Sequence, residues 1–284
     1  MIEFKAQGFC EAIENEFKIV NKEKEEVPFI LNRAQRHFVF NVMTKFREIV
    51  ILKARKMGFS SVVLAIIVLK FLLGKNERCV SMSFDADAAG KQLERAKKFI
   101  RAFERVNGLK IPFKYNTKKE MVYIRTEPNP VTGEEEEIVN TLRIGTAKSS
   151  SFGRGDDVTF LHVTETSLCD DMDALLAGVG EACVPGAFKI FETTANGFNS
   201  FKNFFDAALE GVNGFLAIFY GPEWEYTEEY IAEKRRKLGR IGMQEYPRTH
   251  EEAFLTSGEC YFDAIVLGEL LEVVKNQQVM DFQF

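Results

Sequence analysis

Residues 53 to 61 have the composition of a phosphate-binding loop. They read Lys-Ala-Arg-Lys-Met-Gly-Phe-Ser-Ser and stand between two apolar runs, residues 49–52 and 62–73. A strand that turns through glycine into a helix points backbone N–H groups and a positive helix end at one place, which suits a phosphate. The spacing departs from G-x-x-x-x-G-K-[ST], because Lys53 stands at the first glycine and Phe59 at the lysine. An ordinary strand-to-helix turn in an α/β core is the alternative.

A carboxylate follows another strand-like run. Residues 158–163 are mostly apolar and lead into Thr164-Glu165. Glu165 would therefore lie at the carboxyl edge of the sheet, where the ligands of open α/β folds collect. In nucleotide hydrolysis a carboxylate there can polarise the attacking water. Glu165 is the best candidate base in the sequence, and the alternative is a helix-capping or surface glutamate.

Four further polar residues are candidates for the same site. Thr194 and Asn196 follow the apolar run 187–192 and would lie at the same edge, where short polar groups can sense a γ-phosphate or its water. Arg154 stands between two glycines and is either a mobile surface side chain or one positioned to reach a phosphate. Gln35 offers the paired donor and acceptor that can read an adenine edge, although a lone glutamine is more often a surface residue.

The elements that must position these residues alternate between strand and helix. This alternation predicts a mostly parallel sheet flanked by helices. The predicted strands of the sheet are residues 49–52, 78–84, 158–163, 187–192 and 214–220. Residues 121–126 and 138–144 alternate like paired strands, and residues 16–20 and 27–31 predict an edge hairpin, after which Asn32 can cap a helix.

The pattern changes after Gly221-Pro222, where charged helical segments begin. Thr227 is placed to cap the first of them. We therefore divide the chain into a core at residues 1–220, which includes the lead-in hairpin, and a small helical lobe or linker at residues 221–284. The apolar, uncapped end of the sequence predicts that the natural polypeptide continues.

The composition indicates a folded globular protein, with 46% hydrophobic and 28% charged residues. The net charge of −5 argues against a strongly basic nucleic-acid coat, although it leaves room for a local groove. No apolar run is long enough to cross a membrane. The five scattered cysteines lack a C-x-x-C pair, and the three histidines stand far apart, which predicts reduced buried thiols, packing histidines and no zinc site.

Two predicted helices are rich in basic side chains, at residues 95–105 and 234–240. A basic helix face is usually a solvated surface, and it can also lie along a nucleic-acid backbone. The sequence leaves both interpretations open for both helices.

The order of the motifs resembles the ATPase region of the large terminase subunit, the motor that packages DNA into the heads of tailed phages. The resemblance covers roughly residues 28 to 263 and rests on NRAQ, KARKMGFSS, GRG, FLHVTE, TTANG and QEYP followed by EEAF. It implies a P-loop NTPase-type α/β fold with a small C-terminal helical subdomain. It also implies ATP and Mg²⁺ as cofactors and ATP hydrolysis as the activity.

The resemblance assigns a nucleotide-binding role to the loop. It implies that Lys53 takes over the role of the missing loop lysine, that Arg55 lies over the phosphates and that Gln35 reads adenine. The implied nucleotide-binding residues are Gln35, Lys53, Ala54, Arg55, Lys56, Met57, Gly58, Phe59, Ser60 and Ser61.

The resemblance also implies the residues of hydrolysis. Ser60 would hold Mg²⁺ together with Thr164, and Glu165 would activate water, with Arg55 as a further catalytic residue. Arg154 would be an arginine finger offered to a neighbouring subunit. Thr194 and Asn196 fall on the segment that couples hydrolysis to movement.

The implied partners are double-stranded DNA, the portal protein and the small terminase subunit. The chain would form a homo-oligomeric ring on the portal, be monomeric in isolation, have no membrane association, and work in the host cytoplasm rather than in the virion. A helicase-like DNA-dependent ATPase is one alternative. A catalytically weakened nucleotide-binding assembly module is another, prompted by Phe59 and Thr164.

The sequence departs from the family pattern in two respects. Thr164 stands where many such ATPases have an aspartate, which predicts weak metal affinity in the absence of nucleotide. Large terminases also carry a metal-dependent nuclease domain after the ATPase, and this sequence lacks its spaced acidic cluster. We therefore expect a piece of a longer protein, without nuclease activity of its own.

Overall fold

One large sheet organises the chain. A computed structural model describes residues 6–21, 23–147 and 157–254, together with residues 270 and 273. The strands are β1 (Lys18–Val20), β2 (Glu26–Pro28), β3 (Glu48–Lys53), β4 (Arg78–Ser83), β5 (Phe113–Asn116), β6 (Glu120–Pro128), β7 (Glu135–Thr146), β8 (Val158–Thr164), β9 (Cys183–Thr193) and β10 (Leu216–Tyr220). Eight of them form a sheet in the order β10-β3-β9-β8-β4-β7-β6-β5. Only β6 is antiparallel to its neighbours in this described sheet, which confirms the predicted mostly parallel α/β fold.

Helices cover both faces of the sheet. They are α1 (Ala6–Glu16), α2 (Arg33–His37), α3 (Phe59–Leu73), α4 (Ala86–Asn107), α5 (Met172–Leu175), α6 (Ser200–Leu209), α7 (Glu228–Leu238), α8 (Arg240–Glu245) and α9 (His250–Phe254). Ile49 and Ile51 of β3 pack in the core cluster with α3, whereas Val50 and Leu52 pack in the cluster with α6. Because both faces are buried, β3 is a continuous apolar run rather than an alternating one.

Helix α3, which begins at the glycine turn, is enclosed on nearly all sides. Eleven of its fifteen residues are buried. It packs against α1 and α4 and against the sheet. A helix that is apolar all round is stable only inside a core, so its N-terminus has a fixed position.

The lead-in hairpin is shorter than predicted and separate from the main sheet. Its strands β1 and β2 pair with each other from Lys18 and Pro28 inward. The flanking Phe17 and Phe29 are buried instead, with their rings stacked on Phe99 of α4. Burial of these two aromatic side chains ends the pairing at that point.

The helices after Gly221 pack against the sheet rather than standing apart from it. Phe254 of α9 lies in the same core cluster as Phe201 and Phe205 of α6. Thr227 caps α7 as predicted, since its hydroxyl accepts from the amide of Tyr230. The division of the chain at residue 220 stays a prediction. No helix in the described ranges has the length and apolar character to span a membrane.

Candidate active site

The carboxyl ends of β3, β9 and β8 lie side by side. Leu52 pairs with Thr193, and Thr164 pairs with Glu192, in parallel register. Lys53 therefore ends the strand on one side of β9, and Thr164 ends the strand on the other. The sheet brings these two predicted residues together and places Glu192 between them.

The side chain of Gln35 holds the glycine turn from below. Its Nε2 donates to the carbonyl groups of Met57 and Gly58 at 3.2 and 3.1 Å, and its Oε1 accepts from Asn32 N at 3.1 Å. Gln35 is only 4% exposed. Adenine reading by Gln35 stays a prediction, and it requires these bonds to be exchanged for bonds to the base.

The C-terminal helices hold the same loop from the other side. Arg55 Nη1 donates to Glu245 Oε1 at 2.6 Å, and Arg55 N donates to Glu245 O at 2.9 Å. Tyr226 Oη contacts the carbonyl groups of Arg55 and Lys56 as a donor, at 3.2 and 3.1 Å. The predicted role of Arg55 over the phosphates therefore requires its guanidinium to leave Glu245.

The amide N–H groups of residues 56–60 bind no other residue in the part of the chain that the structure describes. Lys56 and Gly58 have φ of 59° and 72°. Gly58 is also the N-cap of α3, and no side chain caps this helix end. Consecutive amide donors at the start of a long helix can bind an anion, because the helix dipole and the N–H groups act in the same direction.

Phe59 points into the core. Its side chain is fully buried, with its ring centroid 4.7 Å from that of Tyr220 and 5.7 Å from that of Phe38. The position that carries lysine in the common motif is therefore used for packing. Its assignment to the nucleotide-binding set applies to its backbone N–H group rather than to its ring.

A buried polar cluster joins the three strand ends to α3. Glu192 is fully buried. Its Oε1 accepts a hydrogen bond from Ser60 Oγ at 2.6 Å, and its Oε2 lies 3.2 Å from Lys53 Nζ. Ser60 Oγ is also 3.1 Å from Thr164 Oγ1. Burial raises the pKa of Glu192, but Lys53, His162 and Ser60 outweigh it and hold that pKa well below its usual range.

His162 and Ser81 support this cluster from the core. His162 Nε2 lies 3.5 Å from Glu192 Oε1, which is longer than a good hydrogen bond. His162 Nδ1 is 3.0 Å from Ser81 Oγ, and Ser81 donates to Gln92 Oε1 at 2.6 Å. Because all four residues are buried, this chain of contacts restricts the orientation of the Glu192 carboxylate.

Glu165 follows the cluster directly and is exposed. Its backbone is left-handed, with φ 57° and ψ 37°. A non-glycine residue in this conformation costs about 1 to 3 kcal/mol, and such residues concentrate at functional sites. Local desolvation at the cleft mouth raises the pKa of Glu165, the charges of Glu192 and Asp85 raise it further, and Lys53 opposes them. A raised pKa makes this carboxylate a better proton acceptor.

The segment after β9 contacts two other parts of the site. Ser167 Oγ donates to the carbonyl group of Thr194 at 2.7 Å, and Gln244 Nε2 of α8 donates to that of Ala195 at 2.7 Å. Asn196 is exposed. Thr194 and Asn196 thus lie between the turn after β8 and the C-terminal helices, and their coupling role stays a prediction.

A cleft of about 1220 Å³ opens beside the loop. One wall includes Gln35, Gly58 and Ser61, and the opposite wall includes α4. Its basic lining residues are Lys18, Lys91, Arg95, Lys97, Lys98, Lys118 and Lys119. The first half of the predicted basic helix face therefore borders this cleft, which suits a polyanionic ligand.

A methyl group at Gly58 would disturb the loop support. The Cβ of an alanine would lie 2.5 Å from Gln35 Nε2, in addition to the cost of the positive φ. We expect Gly58→Ala to destabilise the fold by about 3 kcal/mol, from backbone strain and the loss of the Gln35 bonds. Gly108→Ala is the matched control, because Gly108 has φ of 62° and open space around it. Its cost should be about 1 kcal/mol.

Urea unfolding of both variants measures the difference. Equal costs would show that the contact with Gln35 adds nothing to the strain. In titrations with a fluorescent ATP analogue, only Gly58→Ala should weaken binding, because only that variant displaces the loop support.

Sequence reasoning missed Glu192, Tyr226 and Glu245 as site residues. The signal for Glu192 was present, since a carboxylate that ends a buried strand resembles Glu165 after β8. No comparable signal marked Tyr226 or Glu245, whose contacts depend on how the last helices pack. The predicted Arg154 lies outside the described residues.

No family model and no curated protein matches the chain. Solved structures do match it. The large terminase of bacteriophage HK97 has a TM-score of 0.59 at 15% identity, covering 85% of this chain and 53% of that one. The large terminase ATPase domain of Thermus phage P74-26 has a TM-score of 0.52 at 15% identity, covering 69% and 86%. The large terminase of a thermophilic bacteriophage has a TM-score of 0.50 at 13% identity, covering 72% and 50%.

These similarities are between folds, because the sequence identities are low. The chain spans about half the length of the HK97 large terminase and of the one from the thermophilic bacteriophage, and most of the P74-26 ATPase domain. The resemblance predicted from the motifs is thereby confirmed for the fold: this chain has the fold of the large terminase ATPase domain.

Proposed function

We propose that this chain is an ATPase that couples hydrolysis of Mg-ATP to the movement of double-stranded DNA during phage packaging. The observation that carries the proposal is the row of unbonded amides at residues 56–60, next to Lys53 and to the carboxylate Glu165. The fold shared with large terminase ATPase domains supports the DNA-packaging assignment.

Nucleotide binding rests on the amides and two basic side chains. The N–H groups at residues 56–60 and the start of α3 would hold the phosphates. Lys53 would move from Glu192 to a phosphate oxygen, and Arg55 would leave Glu245 to cover the phosphates. Both basic residues already have acidic partners, so each move exchanges one charge-assisted contact for another.

Hydrolysis needs a positioned water and stabilisation of charge. Glu165 would accept the water proton, because its raised pKa and exposed position suit a general base. Mg²⁺ bound there would neutralise charge on the phosphate oxygens. Ser60 and Thr164 would help to hold it, and Arg154 would come from a neighbouring subunit as an arginine finger.

Movement would arise from the contacts between the site and the C-terminal helices. Release of Arg55 from Glu245 and a shift of Thr194 and Asn196 would both reach α8. Any change in phosphate occupancy would thereby alter the position of that helix. This is a direct physical link from the nucleotide to the packing of the last helices.

The chain would act as a homo-oligomeric ring on the portal protein, in the host cytoplasm, with the small terminase subunit as a further partner. It would contact DNA through phosphates rather than bases, so its DNA affinity should fall steeply with salt.

ATP hydrolysis with and without double-stranded DNA and portal tests the proposal, together with a strand-separation assay. We expect nucleotide binding by the isolated chain and slow turnover, because an arginine from a neighbouring subunit contributes on the order of 10³ to 10⁵ in rate. Strand separation would favour the helicase alternative. Binding without turnover under every condition would favour the assembly module, and no binding at all would overturn the proposal.

A further inference from the structure

The donor set for a divalent cation in this site lacks one expected carboxylate. In P-loop NTPases the loop serine or threonine and an aspartate at the end of a neighbouring strand hold Mg²⁺. Here that strand ends in Thr164, which offers an uncharged hydroxyl 3.1 Å from Ser60 Oγ. Among the described residues, no group of three or more His, Cys, Asp or Glu side chains is arranged to hold a metal.

Glu192 places a carboxylate at the same hydroxyl from the strand next to β8. It is the register partner of Thr164. Its Oε1 is 2.6 Å from Ser60 Oγ, closer than Thr164 Oγ1. We propose that Glu192 supplies the carboxylate of the Mg²⁺ site that Thr164 does not, an inference that rests on the proposed function.

The bonding of Glu192 supports this role over a purely structural one. An ionised carboxylate has about four acceptor positions, and one hydrogen bond to Glu192, from Ser60, satisfies the geometric criteria in the described structure. Its Oε2 is in charge contact with Lys53 but accepts no hydrogen bond from a described residue. A buried carboxylate with spare acceptor capacity beside a serine and a threonine hydroxyl fits Mg²⁺, which prefers oxygen ligands and usually uses one or two carboxylates.

The pair with Lys53 couples cation and nucleotide. Without nucleotide, Lys53 balances the charge of Glu192 in a site where neither is well solvated, since their side chains are 11% and 0% exposed. A phosphate that engages Lys53 removes this partner, and an uncompensated buried carboxylate is costly. A divalent cation restores the balance, so Glu192 makes nucleotide affinity depend on Mg²⁺.

The test measures the dissociation constant of a fluorescent ADP analogue in EDTA and in saturating MgCl₂. The ratio of the two constants reports the coupling and requires no turnover. We expect tighter binding with Mg²⁺ for the unmodified protein. Glu192→Gln should reduce the ratio by about tenfold, the change that corresponds to roughly 1.4 kcal/mol. The double variant Thr164→Asp/Glu192→Gln should restore it, because the carboxylate returns on the neighbouring strand.

Two controls make the result specific. Glu127→Gln removes a partly exposed carboxylate on β6, paired with Lys75 and Arg125, and should leave the ratio unchanged. Thermal unfolding shows whether each variant is folded. Should Glu192→Gln not fold, Glu192→Asp keeps the charge near Lys53 but withdraws the carboxylate by one methylene, and it should also lower the ratio.

The outcomes separate this inference from the proposed function. An unchanged ratio in folded Glu192→Gln, or in Glu192→Asp where the first variant does not fold, would overturn the role of Glu192. A reduced ratio that Thr164→Asp does not restore would assign Glu192 to loop packing instead and would also overturn it. Absence of nucleotide binding by the unmodified protein in both buffers would instead overturn the proposed function.

Discussion

Lys53→Ala is expected to weaken nucleotide binding by roughly a hundredfold, which corresponds to the loss of a charge-assisted phosphate contact. The same change should destabilise the fold by about 3 kcal/mol, because it leaves the buried Glu192 charge without its partner. Lys53 Nζ is 3.2 Å from Glu192 Oε2, and the glutamate is fully buried. Isothermal titration with an ATP analogue and urea unfolding measure the two effects separately.

A second substitution separates the two consequences. In Lys53→Ala/Glu192→Gln no buried charge is left unpaired, so much of the stability should return while nucleotide binding stays weak. Recovery of binding together with stability would show that Lys53 acts only as a structural partner of Glu192. This outcome would remove it from the phosphate site.

Phe59→Leu is the matched control for the position that carries lysine in the common motif. Phe59 packs between Tyr220 and Phe38 with no exposure. We expect a stability loss of about 1 to 2 kcal/mol for the smaller side chain. Nucleotide affinity should be nearly unchanged in the folded variant. If Phe59→Leu lost nucleotide binding while Lys53→Ala kept it, the assignment of the loop lysine to Lys53 would be wrong.

The central strands and the loop could be predicted from sequence because each is a local pattern. An apolar run of strand length, a glycine and a long apolar run encode β3, the turn and α3 within residues 48 to 73. The same holds for Asn32, whose side chain caps α2 through a local capping box with Gln35. In these segments the residues that determine the structure are close in sequence, so pattern and structure agree.

The polar cluster could not be predicted because it depends on strand order. β9 lies between β3 and β8 in the sheet, although it follows both in the chain. Only this order places Glu192 against Lys53 and Ser60. The contacts of Tyr226 and Glu245 with Arg55 likewise join residues about 170 and 190 positions apart. Such pairings arise from tertiary packing, and no periodicity in the sequence encodes them.

The left-handed backbone of Glu165 separates its catalytic role from its structural cost. Glycine at this position would relieve the strain of a φ of 57°. After the entropy cost of glycine in the unfolded chain, we expect Glu165→Gly to stabilise the fold by about 0.5 to 1 kcal/mol. Lys24→Gly is the matched control, since Lys24 is exposed with φ of 66° in the lead-in hairpin. It should give a similar gain with unchanged turnover.

Glu165→Gln is expected to lower the rate of ATP hydrolysis by roughly 10² to 10⁴, as removal of a general base does. Nucleotide should still bind, because the amides of residues 56–60 and Lys53 are untouched. In the unmodified protein, kcat should rise with pH through the pKa of Glu165, which lies above that of an ordinary glutamate, and Glu165→Gln should lose this limb. Single-turnover hydrolysis across pH, with binding measured in parallel, provides the data. Undiminished hydrolysis by Glu165→Gln would exclude Glu165 as the base, and the strained backbone at this position would then need a different explanation.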